Sequence, residues 1–181
     1  MLLATALASA AGCATAAPLN DADPDIAHYF VLRTYGDSQQ ARLEGDRLHG
    51  SEIDMVRLRD GFRGQAYSRL VDLRLEADVI VGMVGPDRTE LFVDEIPEGV
   101  RLKGVYAGAL GDIELRADSI RGSVGRCQYD LRRVSRRGFW YEGRAMCPGG
   151  LVPAQLGLPD ELPGRPLLER AVSVAVFLGR S

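Results

Sequence analysis

Short runs of alternating apolar and polar residues fill most of the chain between residues 60 and 155. A period of two residues is typical of β-strands that bury one face and expose the other. Turn-forming segments separate these runs, among them GPDR at 85–88, GALG at 108–111 and CPGG at 147–150. The pattern predicts consecutive antiparallel strands connected by tight turns.

A glycine recurs every 18 to 22 residues within these runs, at Gly64, Gly82, Gly104, Gly122 and Gly143. Apolar residues lie two positions before it, two after it and nine after it. Each unit therefore predicts two strands, with the glycine in the middle of the first strand on its apolar face. Phosphate-binding loops instead open a helix or carry a Lys-Ser or Lys-Thr pair. We interpret these glycines as positions where the sheet curves tightly or another backbone approaches.

The repeat predicts an all-β fold in one domain, because 181 residues suffice for a single core. The strands are expected to form an antiparallel meander of about 8–10 strands, curled or closed into a barrel, since each repeat unit contributes two. A β-solenoid is the alternative, because a period near 20 residues also suits stacked coils. We favour the meander because it accounts more directly for the charge pairs and cysteines described below.

The first twelve residues, MLLATALASAAG, are apolar and mostly small. Cys13 follows them directly. Ala10-Ala11-Gly12-Cys13 stands where bacterial lipoproteins carry their lipobox, so the leader resembles a lipoprotein signal. The resemblance implies export, a signal peptide over 1–12, a lipid such as palmitate on Cys13 and a polar tether over 13–24. Ala14, in place of aspartate, implies the outer membrane. An ordinary cleaved signal ending near Ala17 is the alternative and also exports the chain.

Hairpin pairing of consecutive strands makes a specific prediction about which residues face each other. Each repeat glycine is placed opposite a large apolar residue, and outward positions bring opposite charges together, as cross-strand energetics favours. The predicted pairs are Leu73–Gly82, Leu75–Ile80, Leu91–Gly104, Ile113–Gly122, Leu115–Ile120 and Leu131–Gly143, with Glu114–Arg121, Asp130–Arg144 and Arg132–Glu142 on the outside.

The same register places Cys127 opposite Cys147. Facing residues of antiparallel strands have Cα atoms about 4.5 to 5.5 Å apart, which is within disulfide range. Exported proteins oxidise such pairs. We therefore predict a disulfide, with two free buried thiols as the alternative.

The two ends of the domain, taken as residues 25–181, are less regular. DIAHYFVLRTY at 25–35 can supply a strand or a helix, and residues 42–58 resemble a degenerate first repeat. A proline-rich linker at 158–166 precedes LLERAVSVAVFLGR at 167–180, which carries an apolar stripe at helical spacing. We predict a short C-terminal helix that covers an open end or edge of the sheet. Alternation of Val172, Val174 and Val176 leaves a closing strand as the alternative.

Charge excludes one class of partner and indicates one candidate surface. The net charge of −3 gives no general attraction to nucleic acid, so no nucleic-acid partner is expected. Arginines concentrate in one hairpin region and could contact anionic lipid or polysaccharide. These arginines are Arg126, Arg132, Arg133, Arg136 and Arg137. The alternative is that they form an ordinary solvent-exposed face without a partner.

Catalytic and metal-binding patterns are not found in the sequence. His28 and His49 lie in unrelated contexts without spaced Cys, Asp or Glu partners, and Ser123 lacks the glycine two residues earlier that a nucleophile elbow requires. We expect no metal, no cofactor and no catalytic residue. The remaining candidate site is an outward apolar patch that would bind a partner. The alternative is that the sheet rolls differently and these residues belong to the core. The patch comprises Val81, Met83, Phe92 and Val105.

The sequence therefore predicts a lipid-anchored, non-enzymatic protein of the cell envelope with a structural or partner-binding role. Its expected partners are the membrane, through the lipid anchor, and another envelope protein or an anionic polysaccharide. A small-ligand carrier is the alternative, because a barrel of about eight strands can enclose one small molecule. A hydrolase using carboxylates ranks third.

Overall fold

The computed structural model describes residues 27–34, 36–134 and 138–179. Within these ranges the chain forms a succession of β-strands, then a short 3₁₀ turn at Leu162–Gly164 and an α-helix, α1, at Leu167–Leu178. The strands are β1 Tyr29–Thr34, β2 Asp37–Glu44, β3 Arg47–Gly50, β4 Ile53–Leu58, β5 Gly61–Ala66, β6 Arg69–Glu76, β7 Val79–Val84, β8 Asp87–Ile96, β9 Gly99–Tyr106, β10 Ala109–Arg116, β11 Ser119–Val124, β12 Cys127–Arg133, β13 Phe139–Cys147 and β14 Gly150–Leu158.

Each strand pairs with the next in antiparallel fashion, and β14 pairs with β1, so the sheet closes into a barrel. This confirms the all-β class and the closed meander, and it excludes the stacked coils of a solenoid. The described barrel has fourteen strands rather than the 8–10 expected. The difference arises because residues 29–58, where the sequence indicates one strand and an irregular repeat, supply the four strands β1 to β4.

The predicted register is present in the barrel. Leu73 faces Gly82, Leu91 faces Gly104, and the other predicted apolar pairs are equally in place. The repeat glycines are needed because the neighbouring backbone is very close. A Cβ at Gly82 would collide with the carbonyl oxygen of Asp72, and the φ of Gly82 is +149°, which other residues rarely adopt. Close backbone approach, rather than a space for a side chain, therefore explains the repeat.

The C-terminal helix lies inside the barrel. Every residue of α1 from Ala171 to Leu178 is buried, and the side chains on all its faces meet the inner surface of the wall. A helix that is apolar on all sides is typical of one surrounded by protein. The expectation that this helix would cover an open end or edge was wrong, because a closed barrel of this size leaves a lumen wide enough to need filling.

The helix runs along the lumen from one end of the barrel to the other. It starts beside the turns at 45–46 and 97–98, where Arg165 donates to the Gly45 carbonyl oxygen over 2.7 Å. It ends beside the turns at 67–68 and 125–126, where the hydroxyl groups of Tyr67 and Tyr129 donate to the carbonyl oxygens of Phe177 and Leu178. We call the end with the turns at 45–46 and 97–98 the cavity end. We call the end with the turns at 67–68 and 125–126 the closed end.

Candidate functional site

The predicted site residues fall into three groups by position. Cys13, Arg136 and Arg137 lie outside the described residues, as do the signal and tether segments. Cys127 and Cys147 lie at the closed end of the wall. The remaining arginines and the apolar patch lie on the wall itself, in different sectors.

The disulfide prediction is confirmed. Cys127 begins β12 and Cys147 ends β13, and the two are bonded with a Cα–Cα distance of 4.3 Å. The bridge fastens two neighbouring strands next to the turn at 148–149. It is a structural cross-link of the wall, because Cys127 is buried and forms part of the hydrophobic core.

The predicted arginine surface is spread out in the structure. Arg126 lies in a turn at the closed end, whereas Arg132 and Arg133 lie near the other end of β12, six residues and therefore about 20 Å away. Arg133 also turns away from solvent: it donates to the Gly138 carbonyl oxygen over 2.8 Å, and its guanidinium lies 4.6 Å from the centre of the Phe139 ring. Among the described arginines of the set, only Arg132 and Arg133 are neighbours.

Ion pairs between neighbouring strands lie at regular intervals on the outer surface of the barrel. The predicted charged pairs do face each other, but Arg121 forms its ion pair with Asp130 on the next strand, at 3.2 Å, and Glu114 binds Arg116 on its own strand. The same type of pair occurs once in each of four hairpins. We call these the outer ion pairs: Arg47–Asp54, Arg63–Asp72, Arg101–Asp112 and Arg121–Asp130.

Within the run from β3 to β12, the hairpin of β7 and β8 has no cross-strand pair of this type, and its ion pair, Arg88–Glu90, joins two residues of β8. Val81 occupies the position that Arg63 and Arg121 hold in their units, one residue before the repeat glycine, and it faces Glu90. On the same hairpin lie Met83 and Phe92, which are 42% and 48% exposed, and the half-buried Val105 faces Glu90 from β9. Leu110, 81% exposed, faces Val105 from β10. We call this surface the apolar sector: Val81, Met83, Phe92, Val105 and Leu110.

A buried ion pair holds the start of α1, and the sequence analysis missed it. Glu169 is only 5% exposed, and its Oε1 lies 2.6 Å from a guanidinium nitrogen of Arg57 on β4. Arg165 adds a second, longer contact of 3.9 Å. The signal available in the sequence was a single acidic residue inside an otherwise apolar helix, which requires a partner if it is buried. The arrangement fixes the helix within the lumen.

A cavity remains beside α1, and it gives the cavity end its name. Its volume is about 130 Å³, and it lies between the helix and the wall strands β9 to β14. Its apolar lining comes from both structures and includes Val100, Leu115, Ile120, Phe139 and Val174. Residues of the rim, such as Glu98, Ala117 and Pro163, are exposed to solvent. The helix thus fills the centre of the lumen, and this cavity remains beside its first turns.

Three polar groups line the same cavity. Arg116 is already engaged by Glu114 and by the Pro97 carbonyl oxygen. Tyr141 has only two long contacts, at 3.4 Å, to the carbonyl oxygens of Arg116 and Ala117, and burial raises the pKa of its phenol. Arg170 of α1 makes no side-chain hydrogen bond or ion pair within the described chain, and its Nε is buried without a partner. The cavity thus combines apolar walls with one cation that lacks a partner among the described residues.

The described residues contain neither a metal-binding cluster nor a membrane-spanning helix. Among the described residues, no three His, Cys, Asp or Glu side chains lie close enough together to hold a metal ion. In the same ranges, no helix has the length and apolar character needed to cross a membrane. The molecule is thus a closed antiparallel barrel whose lumen is filled by its own C-terminal helix. Compared with known proteins, the chain matches no family model, no curated protein and no solved structure.

Proposed function

We propose that this chain is a lipid-anchored protein of the cell envelope that binds another envelope protein through its apolar sector and catalyses no reaction. The anchor would be a lipid such as palmitate on Cys13, and the location would be the outer membrane. The leader sequence supports export. The Cys127–Cys147 disulfide supports it independently, because such bonds persist in oxidising compartments.

The observation that carries partner binding is the interruption of the outer ion pairs. Four hairpins place an arginine opposite or diagonal to an acidic residue, whereas the β7–β8 hairpin places Val81 there, with the exposed Met83 and Phe92 on the same two strands. Exposed apolar side chains that cluster on neighbouring strands are costly in water and are typical of interaction sites, and here they lie on both sides of the Arg88–Glu90 ion pair. Glu90 and Lys103 lie within or beside the sector, so the fitting partner surface is apolar with a few complementary charges.

A protein partner fits this surface better than an anionic polysaccharide. A polysaccharide would need a cluster of unpaired cations, and the described arginines of the predicted set are separated along β12 or bound to backbone oxygens. An apolar sector whose charges are largely paired, as Arg88 is with Glu90, instead resembles a protein interface with a polar rim. A structural role follows if that partner is itself fixed in the envelope.

The lipid anchor can be tested by metabolic labelling. Cells expressing the full chain are grown with an alkyne-tagged palmitate, and the protein is then isolated and its label detected. We expect label on the wild type and none on the Cys13→Ser variant. Label that persists in Cys13→Ser, or its absence from the wild type, would reject lipid attachment at this residue.

Oxidation in the cell can be tested separately. Thiols are alkylated before lysis, and peptides are mapped without reductant. We expect Cys127 and Cys147 to be recovered as one linked pair. Recovery of both as alkylated thiols would argue against an oxidising compartment and hence against export.

Partner binding can be tested with a photocrosslinking residue at position 92. We expect an adduct with a discrete envelope protein after illumination in cells, and none from position 40, which is exposed on the distant strand β2. Val81→Arg is the informative second variant. It places a cation opposite Glu90, which already pairs with Arg88, so it should keep the barrel stable, yet it should abolish the adduct. Equal crosslinking from positions 40 and 92 would contradict a specific interface.

The carrier alternative is restricted by the helix. Because α1 fills the centre of the lumen, a small molecule cannot occupy that centre, and the cavity beside Arg170 offers about 130 Å³ for one.

A further inference from the structure

We infer that the cavity at the cavity end of the barrel binds a small carboxylate with a compact apolar body, of the size of benzoate. This site is separate from the apolar sector on the outer wall and does not depend on the function proposed above. Size, lining and charge each limit the class of ligand.

The volume limits the apolar part of the ligand. An apolar cavity of about 150 Å³ in another protein stays dry and binds benzene. The cavity here, at about 130 Å³, is of similar size and has aliphatic and aromatic walls. A single aromatic ring or a chain of about six carbons therefore fits. A long acyl chain does not, because α1 blocks the lumen beyond Val174.

The polar groups define the other part of the ligand. Arg170 lies four residues before Val174 on the same face of α1, so its guanidinium and the apolar floor line the same space. Guanidinium groups present parallel N–H donors that match a carboxylate. Tyr141 adds a hydroxyl whose present contacts are longer than the usual O–H···O distance, and it stays neutral and able to donate.

Three acidic residues of the described chain lie near the cavity, and one of them, Asp118, accepts a hydrogen bond from the Ser119 hydroxyl over 2.8 Å. Glu114 is bound by Arg116, which neutralises both. Glu98 lines the rim of the cavity, is exposed to solvent and makes no ion pair within the described residues, so water screens its charge. Arg170 therefore remains available to a ligand anion that enters past the rim.

The test compares benzoate with benzamide, its uncharged isostere, by isothermal titration calorimetry on the full-length protein. We expect the wild type to bind benzoate about tenfold or more tightly than benzamide, which is the contribution of one charge-assisted hydrogen bond. Arg170→Gln should remove this preference, with benzoate affinity reduced about tenfold and benzamide affinity unchanged. Arg126→Gln, which changes the same charge at the closed end, should bind both as the wild type does.

A second variant keeps the test informative about the cavity itself. Leu115→Phe adds volume to a partly buried wall residue and points into the empty space, so it should weaken both compounds together. Thermal unfolding of each variant establishes that it is folded. Failure of the wild type to bind either compound, equal benzoate affinity in Arg170→Gln, or unchanged affinities in Leu115→Phe would each overturn the proposal.

Discussion

The wall of the barrel presents one face to the lumen and one to solvent, whereas α1 presents every face to the lumen. Wall strands are supported locally, because each pairs with its sequence neighbours and carries cross-strand contacts such as Arg121–Asp130 on the outside. The helix has little local support. Its valines at 172, 174 and 176 are β-branched and lower its intrinsic helix propensity.

Packing inside the wall therefore determines that these residues are helical. The wall also satisfies groups that the helix leaves unpaired at its end, through the hydroxyl groups of Tyr67 and Tyr129. The two regions therefore form one cooperative unit. Residues 167–178 are helical because the wall surrounds them, and the wall is stable because the helix fills its lumen. Substitutions in the helix, in the wall and at the contacts between them test this dependence through the free energy of unfolding.

The largest effect is expected from a charge placed on the helix. Val176→Asp puts a carboxylate at a position with no solvent exposure, and burial of a charge without a partner should lower the free energy of unfolding by about 4 kcal/mol or more. Denaturant unfolding followed by circular dichroism measures the change. Val56→Asp is the matched control on the outer wall, where the residue faces Arg47 and Arg63, and it should change stability by less than about 0.5 kcal/mol. Similar costs at the two positions would contradict a helix inside the lumen.

A smaller but still large effect is expected in the wall at a repeat glycine. Gly122 has a φ of +116°, and a Cβ there would collide with the carbonyl oxygen of Asp112. Gly122→Ala should therefore lower the free energy of unfolding by about 3 kcal/mol, from backbone strain and loss of strand pairing. Gly149→Ala is the control, because no atom lies within 4 Å of a Cβ added there. If the two alanine variants are equally stable, close backbone approach does not explain the repeat.

The contact between wall and helix is tested at Tyr129. Its buried hydroxyl donates to the Leu178 carbonyl oxygen over 2.9 Å, so Tyr129→Phe leaves a carbonyl group without this donor. We expect a loss of about 1 to 2 kcal/mol in the free energy of unfolding. Tyr29→Phe removes a hydroxyl that makes no hydrogen bond within the described residues, and it should be neutral. Amide hydrogen exchange near residue 178 should accelerate in the first variant only, and equal exchange in both would argue against the tyrosine as a support of the helix end.

The wall from β5 to β14 could be predicted because its pattern is local and repeated. One glycine per unit fixes the register, and the register in turn places Cys127 beside Cys147. β2 could not be predicted, because its inward positions include the polar Gln39 and the small Ala41. The turn at Tyr67 and Ser68 was equally hidden, since both have positive φ where glycine or asparagine is usual.

The candidate sites could be predicted only in part, for a related reason. The outward apolar residues follow from alternation along single strands. The cavity requires knowledge of which strands surround α1, and it combines residues as distant in sequence as Val100 and Arg170. No pattern along the chain specifies such an arrangement, because it depends on closure of the barrel and on the helix inside it.

The smallest effect concerns an outer ion pair, where the wall meets water. The side chain of Arg101 donates two hydrogen bonds to Asp112 and holds the pKa of that carboxyl below its usual value of 3.8. A lowered pKa in the folded state means that the pair stabilises the protein above about pH 3.8, and this contribution is lost as the pH falls through the lower folded value. Because both side chains are more than one third exposed, solvent screening keeps the effect on stability small. We therefore expect a clearer result from the titration itself: Arg101→Gln should raise the pKa of Asp112 toward its usual value, as followed by the carboxyl carbon signal in an NMR pH titration. An unchanged midpoint in Arg101→Gln would mean that this pair does not persist in solution, and that β9 and β10 are held together by strand pairing and the apolar lumen without it.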